Sequence, residues 1–306
     1  MSKKNWINVV YDKLLSPSIK EHSERLILSI AIISYLVHLV LIVLVNQEIV
    51  QLDSKLFKNP IAAIYTPFSF ILVYEVYLLI FFLPKSITIY IGKQYEIITL
   101  IVIRRIFKDI SNLELVSDWF KNTNDLQFTY DTLTSLILFG LIYLFYRKNA
   151  KRGSSKMAKI EDNARIKRFI DLKKAIAITL VPILIILAVY SFYNWAIQSI
   201  HDYQDGVTAF KNINNVFFDE FFTTLIVVDV LLLLSSFFYS DEFHKIIRNS
   251  GFIISTIFIK LSFSIEGIVN NASIIGAVLF GYLILIIHDL YEKNLVNNLE
   301  EDDSTP

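Results

Sequence analysis

Cysteine is missing from all 306 residues, which excludes disulfides, thiol catalysis and iron–sulfur or Cys-based metal sites and leaves the redox compartment unmarked. Glycine and proline are scarce, 8 and 6 residues, and no Walker-type phosphate loop is built from them. HExxH and GxSxG are also absent, so membrane protease and lipase chemistry have no motif and no catalytic residue is assigned. Lys plus Arg equals Asp plus Glu at 29 each. A chain with no net charge lacks the basic balance of a nucleic-acid binder. The first 25 residues carry no apolar core or small-residue cleavage site, so no cleaved leader is expected.

What the chain has in excess is apolar length. Hydrophobic residues make up 54% and the mean hydropathy is +0.52, above the ordinary globular range. Runs of about 18 to 23 residues can cross about 30 Å of hydrocarbon as helices. They fall at Leu26 to Val45, Ile61 to Leu83, Tyr95 to Asn112 and Thr132 to Tyr146, then at Ala175 to Ile197, Phe217 to Tyr239, Gly251 to Val269 and Ser273 to Tyr291. The pattern predicts an all-α integral membrane protein of about eight transmembrane helices, with the lipid bilayer as its medium. In the N-terminal segment, 1–25, Ile7, Val10, Tyr11 and Leu14 recur at helical spacing. That spacing predicts a short interfacial helix.

The linker 147–174 holds eleven Lys and Arg against three acids. By the positive-inside rule it is cytoplasmic, and Lys3, Lys4, Lys13, Lys20 and Arg25 place the N-terminus on the same side. Both termini are then expected in the cytoplasm, with the chain in the cell membrane. The tail 292–306 ends in "LEEDDSTP" and reads as acidic and disordered.

The two sets of four helices, 26–146 and 175–291, share short matches in the same order: LFKN with AFKN, VYEV with VVDV, IITLIVIRR with IISTIFIKL, and LFG with LFG. Four helices per copy is an even number, so both copies insert the same way round, as a parallel repeat.

Within these runs lie charges with apolar residues on both sides. Glu75 sits in "FSFILVYEVYLLIFF" and Asp229 in "LIVVDVLLLL". An ionised carboxylate at such a depth costs about 2.5 to 3.5 kcal/mol on insertion scales, so each needs a partner or a proton. Arg104 follows Glu75 by 29 residues and Lys260 follows Asp229 by 31, which predicts one acid–base pair per half across a helical hairpin. Arg105 has Asp109 one turn on, a spacing that permits an ion pair. Lys93 and Glu96 belong near a turn.

These charges fit a transporter or channel-like protein whose pairs line the path of an ion or small charged solute. They equally fit a membrane scaffold or accessory subunit in which the pairs are structural. Tyr74 to Val102 loosely resembles the second and third helices of a voltage sensor, but neither fourth helix carries a ladder of arginines, which argues against gating-charge movement. His38 and His288 lie far apart without a ligand motif, so no metal or cofactor is expected. Trp119, Phe120, Phe128 and Tyr130, in the outer segment 111–131, read as an interfacial aromatic belt.

Overall fold

The structure, a computed structural model, describes residues 6–50, 63–110, 123–156, 164–201, 206–239, 242–263, 265 and 267–302. Among these the chain is all helical, as α1 (Trp6–Leu14), α2 (Pro17–Asn46), α3 (Tyr65–Phe82), α4 (Ile87–Ile110), α5 (Thr123–Lys156), α6 (Ala164–His201), α7 (Gly206–Phe237), α8 (Phe243–Ser262) and α9 (Ile268–Asp302).

Local chemistry explains the breaks. Ser16 caps α2 by accepting a hydrogen bond from the Ile19 amide at 3.3 Å, and Pro17 follows at the first helical position, where its missing N–H costs nothing. α1 is thereby set off from α2. Its Tyr11 and the following Leu15 are buried, and it packs on α6, where Lys174 donates to Asn8 Oδ1 at 2.7 Å. At the other end of the chain, Gly267 takes a φ of +73°, which glycine adopts without strain. That turn delivers the first residues of α9.

Among the described residues five helical stretches are long and apolar enough to cross a membrane: Trp6–Asn46, Asp125–Ala150, Ile166–Tyr190, Glu220–Phe237 and Ile268–Asn294. Thr66–Phe82 is apolar but shorter. The chain is a multi-pass helical membrane protein. Its outward faces are apolar, with Ile33, Leu36 and Val40 on α2, Leu136 and Phe139 on α5, and Ile186 and Val189 on α6 all exposed. Phe139 is 70% exposed, which suits a hydrocarbon surrounding and would be costly in water.

The eight expected crossings thus divide into two kinds. α4 and α8 form where helices were expected, yet they lie outside the five apolar stretches. Both carry charge along their length, including Lys93, Glu96, Arg104, Arg105 and Asp109 on α4 and Lys245, Arg248 and Lys260 on α8. α4 can do so because much of it lies inside, whereas α8 also turns Ile254, Phe258 and Leu261 outward and holds its cations half-buried. On α4, Tyr90, Ile91, Gln94, Tyr95, Ile98, Val102 and Arg104 are all buried.

Packing runs α2 on α3, α3 on α4 and α4 on α5, then α6 on α7, α7 on α8 and α8 on α9. The two groups of four meet where α5 packs on α9, α4 on α8 and α3 on α6. At the α4–α8–α9 junction the Tyr95 hydroxyl lies 2.7 Å from Ser255 Oγ, and Ser255 donates to the Ala277 carbonyl at 2.7 Å. Gly281 makes room for this, since a Cβ there would lie 1.8 Å from the Tyr95 hydroxyl. Phe145 meets Tyr95 edge-on at 5.4 Å and Phe252 at 5.9 Å, and it joins α5 to the same core.

Three expectations at element edges need correction. α5 begins at Thr123, not near Thr132, so Phe128, Tyr130 and Asp131 belong to a helix and not to an outer loop; Trp119 and Phe120 lie outside the described residues. The basic linker is helical at both ends, as the close of α5 and the start of α6. The tail from 292, expected disordered, is helical as far as Asp302. The LFKN of the first half falls at 56–59, also outside the described residues.

Candidate functional site

Charges and amides that sequence separates meet in two buried clusters along α4. In one, Arg104 Nη2 donates to Glu75 Oε2 at 2.9 Å, with both side chains nearly inaccessible. The acid and base spaced 29 residues apart are therefore together, on α4 and α3. A pair of this kind is sensitive to the loss of either partner, because the survivor is left charged and desolvated.

Arg105, next in sequence, turns to another neighbourhood. It donates to Asn270 Oδ1 at 2.7 Å and Asn271 Oδ1 at 3.1 Å, and its Nε lies 3.1 Å from Asp131 Oδ2. Asn271 donates to Asp131 Oδ1 at 2.7 Å, as does Gln127 at 2.9 Å, while Asn270 donates to the Ser262 carbonyl at 2.5 Å. The expected partner, Asp109, adds its charge to the field at Arg105, but the ion-pair contact goes to Asp131. A guanidinium has five donors in a fixed fork, so several acceptors converging from α5 and α9 satisfy it better than one carboxylate on its own helix.

The other cluster surrounds Asp229. Gln94 Nε2 of α4 donates to Asp229 Oδ2 at 3.1 Å. The Tyr90 hydroxyl acts on the same carboxylate without a hydrogen bond of ordinary geometry, and Lys173 of α6 is the cation whose charge acts on it. Lys173 is itself buried and donates to the Lys85 carbonyl at 3.0 Å. In sequence it belongs to the basic linker 147–174.

Asp229 is not paired with Lys260, which corrects the second expected pair. Lys260 donates instead to the Thr223 hydroxyl. Thr223 and Asp229 are six residues apart on α7, which puts them about 120° apart around the helix axis at about 100° per residue. One face of α7 addresses α8 and the other addresses α4. A sequence interval measures depth along a hairpin and says nothing of azimuth.

Between the clusters α4 presents Ile98, Ile101 and Val102, all buried. Beside Ile98 is a cavity of about 10 Å³ lined by Gln94, Phe222, Leu225, Ile226, Asp229, Thr256 and Ile259. That is the scale of a single water molecule.

No known family, curated protein or solved structure matches the chain.

The remaining polar groups are more ordinary. Lys93 and Glu96 form a half-exposed pair at 2.6 Å. His38 Nδ1 lies 2.5 Å from Thr66 Oγ1. His288 stacks edge-on against His244 at 5.1 Å, with Glu292 3.9 Å from it. Among the described residues no group of three or more His, Asp and Glu is arranged to hold a metal. Asn270, Asn271, Gln94 and Tyr90 carry no charge and were passed over in sequence; the signal that could have found them is a polar residue in a run whose other members are apolar, as in "GIVNNAS".

Proposed function

We propose that this protein is a transporter or channel-like protein of the cell membrane, carrying an ion or small charged solute along the interior of its helix bundle. The observation that carries the reading is the polar column on α4. Tyr90, Gln94, Arg104 and Arg105 lie within 16 residues, about 22 Å of helix axis at 1.5 Å per residue. That is most of the hydrocarbon thickness. Glu75, Asp131 and Asp229 approach the column from three other helices, and Asp109 and Lys260 lie at its margins. Ionisable groups inside a membrane bundle usually mark a path for charge. Two polar clusters separated by Ile98, Ile101 and Val102 have the form of a path that is closed at its waist.

The same reading has eight crossings, both termini in the cytoplasm and a parallel repeat. Supporting the repeat, the helices of each half pack in the same order, and α4 on α8 and α5 on α9 are self-equivalent contacts of the kind a two-fold axis along the membrane normal produces. The contacts of α1 and α3 with α6 depart from that symmetry.

Purified protein in liposomes tests the transport reading. Under imposed gradients of protons, potassium, sodium or chloride, the wild type is expected to pass at least one of them; no flux of any would overturn the ionic form. A scaffold or accessory subunit is the second reading, favoured by the closed Glu75–Arg104 contact at 2.9 Å. The doubly exchanged Glu75→Arg, Arg104→Glu protein separates the two. A structural pair restores folding on exchange, whereas a path that depends on the order of charges stays inactive in a folded protein.

A further inference from the structure

We propose that Asp229 is a proton-binding site served by one exchangeable water in the cavity between α4, α7 and α8. This narrows the transport reading and rests on it for its meaning in the cell, but binding itself is measurable in protein that passes nothing. Asp229 is 2% exposed and Gln94 6%, so both side chains are more than nine-tenths buried. One carboxylate oxygen accepts from Gln94, while the other, Oδ1, has no hydrogen-bond partner among the described residues. The Tyr90 hydroxyl acts on the same carboxyl group without making a hydrogen bond of ordinary geometry. An orphaned oxygen of this kind is costly when dry and has two remedies, a water or a proton. The cavity on which Asp229 opens is polar at Gln94 and Thr256, and its size of about 10 Å³ admits about one water.

The lining selects the ligand. A metal cation needs several oxygens, and this site has few to give. Gln94 presents its amide nitrogen, the Thr256 hydroxyl is already donated to the Ile253 carbonyl at 2.9 Å, and Lys173 opposes any second cation nearby. A proton needs one lone pair. In the binding step a hydronium in the cavity gives its proton to Asp229 Oδ1, an O–H bond forms there, and the water stays behind. Release reverses this, with no other group changed. The titratable and charged groups around the carboxyl are Tyr90 from α4 and Lys173 from α6, with Arg248 of α8 acting on Lys173; Lys260, also on α8, is bonded to Thr223.

Infrared difference spectroscopy of the full chain in lipid nanodiscs, titrated with pH, tests the assignment. The wild type is expected to show a carboxylic C=O band that appears as pH falls, and Asp229→Asn to lose that band. Gln94→Leu and Tyr90→Phe keep the carboxyl, and Gln94→Leu is expected to move the midpoint by about one pH unit, the worth of a hydrogen bond to a charged group. A titrating band that survives Asp229→Asn, one that does not titrate, or a midpoint that follows sodium concentration overturns the proposal. Should Asp229→Asn fail to fold, a midpoint unmoved by both other variants overturns it as well. Titration at Asp229 together with absent flux in liposomes leaves the proton site standing and removes the transport reading.

Discussion

Individual side chains in this bundle matter by what they leave behind when removed. Asn271 bridges Arg105 and Asp131, so Asn271→Leu strips a half-buried guanidinium of an acceptor and a buried carboxylate of a donor. A loss of about 1–3 kcal/mol is expected for such unsatisfied groups, read as a lower unfolding temperature in detergent; an unchanged value would show that the cluster re-pairs through Asn270. Gly281→Ala sets a methyl against the Tyr95 hydroxyl. Overpacking there is expected to destabilise by about 1–3 kcal/mol, and adding Tyr95→Phe should return part of it in the same melt. At this scale the sequence was half readable. Glu75 and Arg104 announced themselves because a charge in an apolar run needs an explanation, and they are nearest neighbours. Asp131 was hidden because the helix containing it was expected to start one residue later, and Asn270 and Asn271 because an amide at a helix start looks like a cap.

Helices were the most legible objects, since a run of apolar residues long enough to cross hydrocarbon has few other uses. Among the described residues each of the eight expected runs overlaps a helix, as does the N-terminal segment, although the seventh run, Gly251 to Val269, is broken after Ser262 by the turn at Gly267. Their ends were less visible, because α5, α6 and α9 continue into charged sequence where hydropathy no longer marks them. Which face of a helix meets which neighbour was invisible, as the divergence of Asp229 and Thr223 on α7 shows. α1 is the element held most locally, through Tyr11, Leu15 and the Lys174 contact. Leu15→Asp is expected to detach it from α6 while leaving the rest folded. Limited proteolysis would then cut near residue 15 faster than in the wild type, with the melting temperature changed little; a collapse of the whole melt would mean that α1 is integral to the bundle.

The molecule as a whole invites a topology measurement that its composition makes simple. With no native cysteine, each introduced thiol reports alone. Ser154→Cys in the linker and Ser86→Cys in the α3–α4 turn should both react with a membrane-impermeant maleimide in inside-out vesicles and be spared in right-side-out ones, as eight crossings require. Reaction of the two from opposite sides would remove one of the intervening crossings. The apolar waist at Ile98, Ile101 and Val102 also has an electrical consequence. In the transport reading water reaches the two clusters from either side during turnover, so the low-dielectric layer between them would be much thinner than the bilayer and the membrane voltage would fall mainly across it. One unit charge passing from the Asp229 cluster to the Arg105 cluster would then sense nearly the whole potential, about 2.3 kcal/mol per 100 mV. Three aliphatic side chains would set the voltage dependence of any such step.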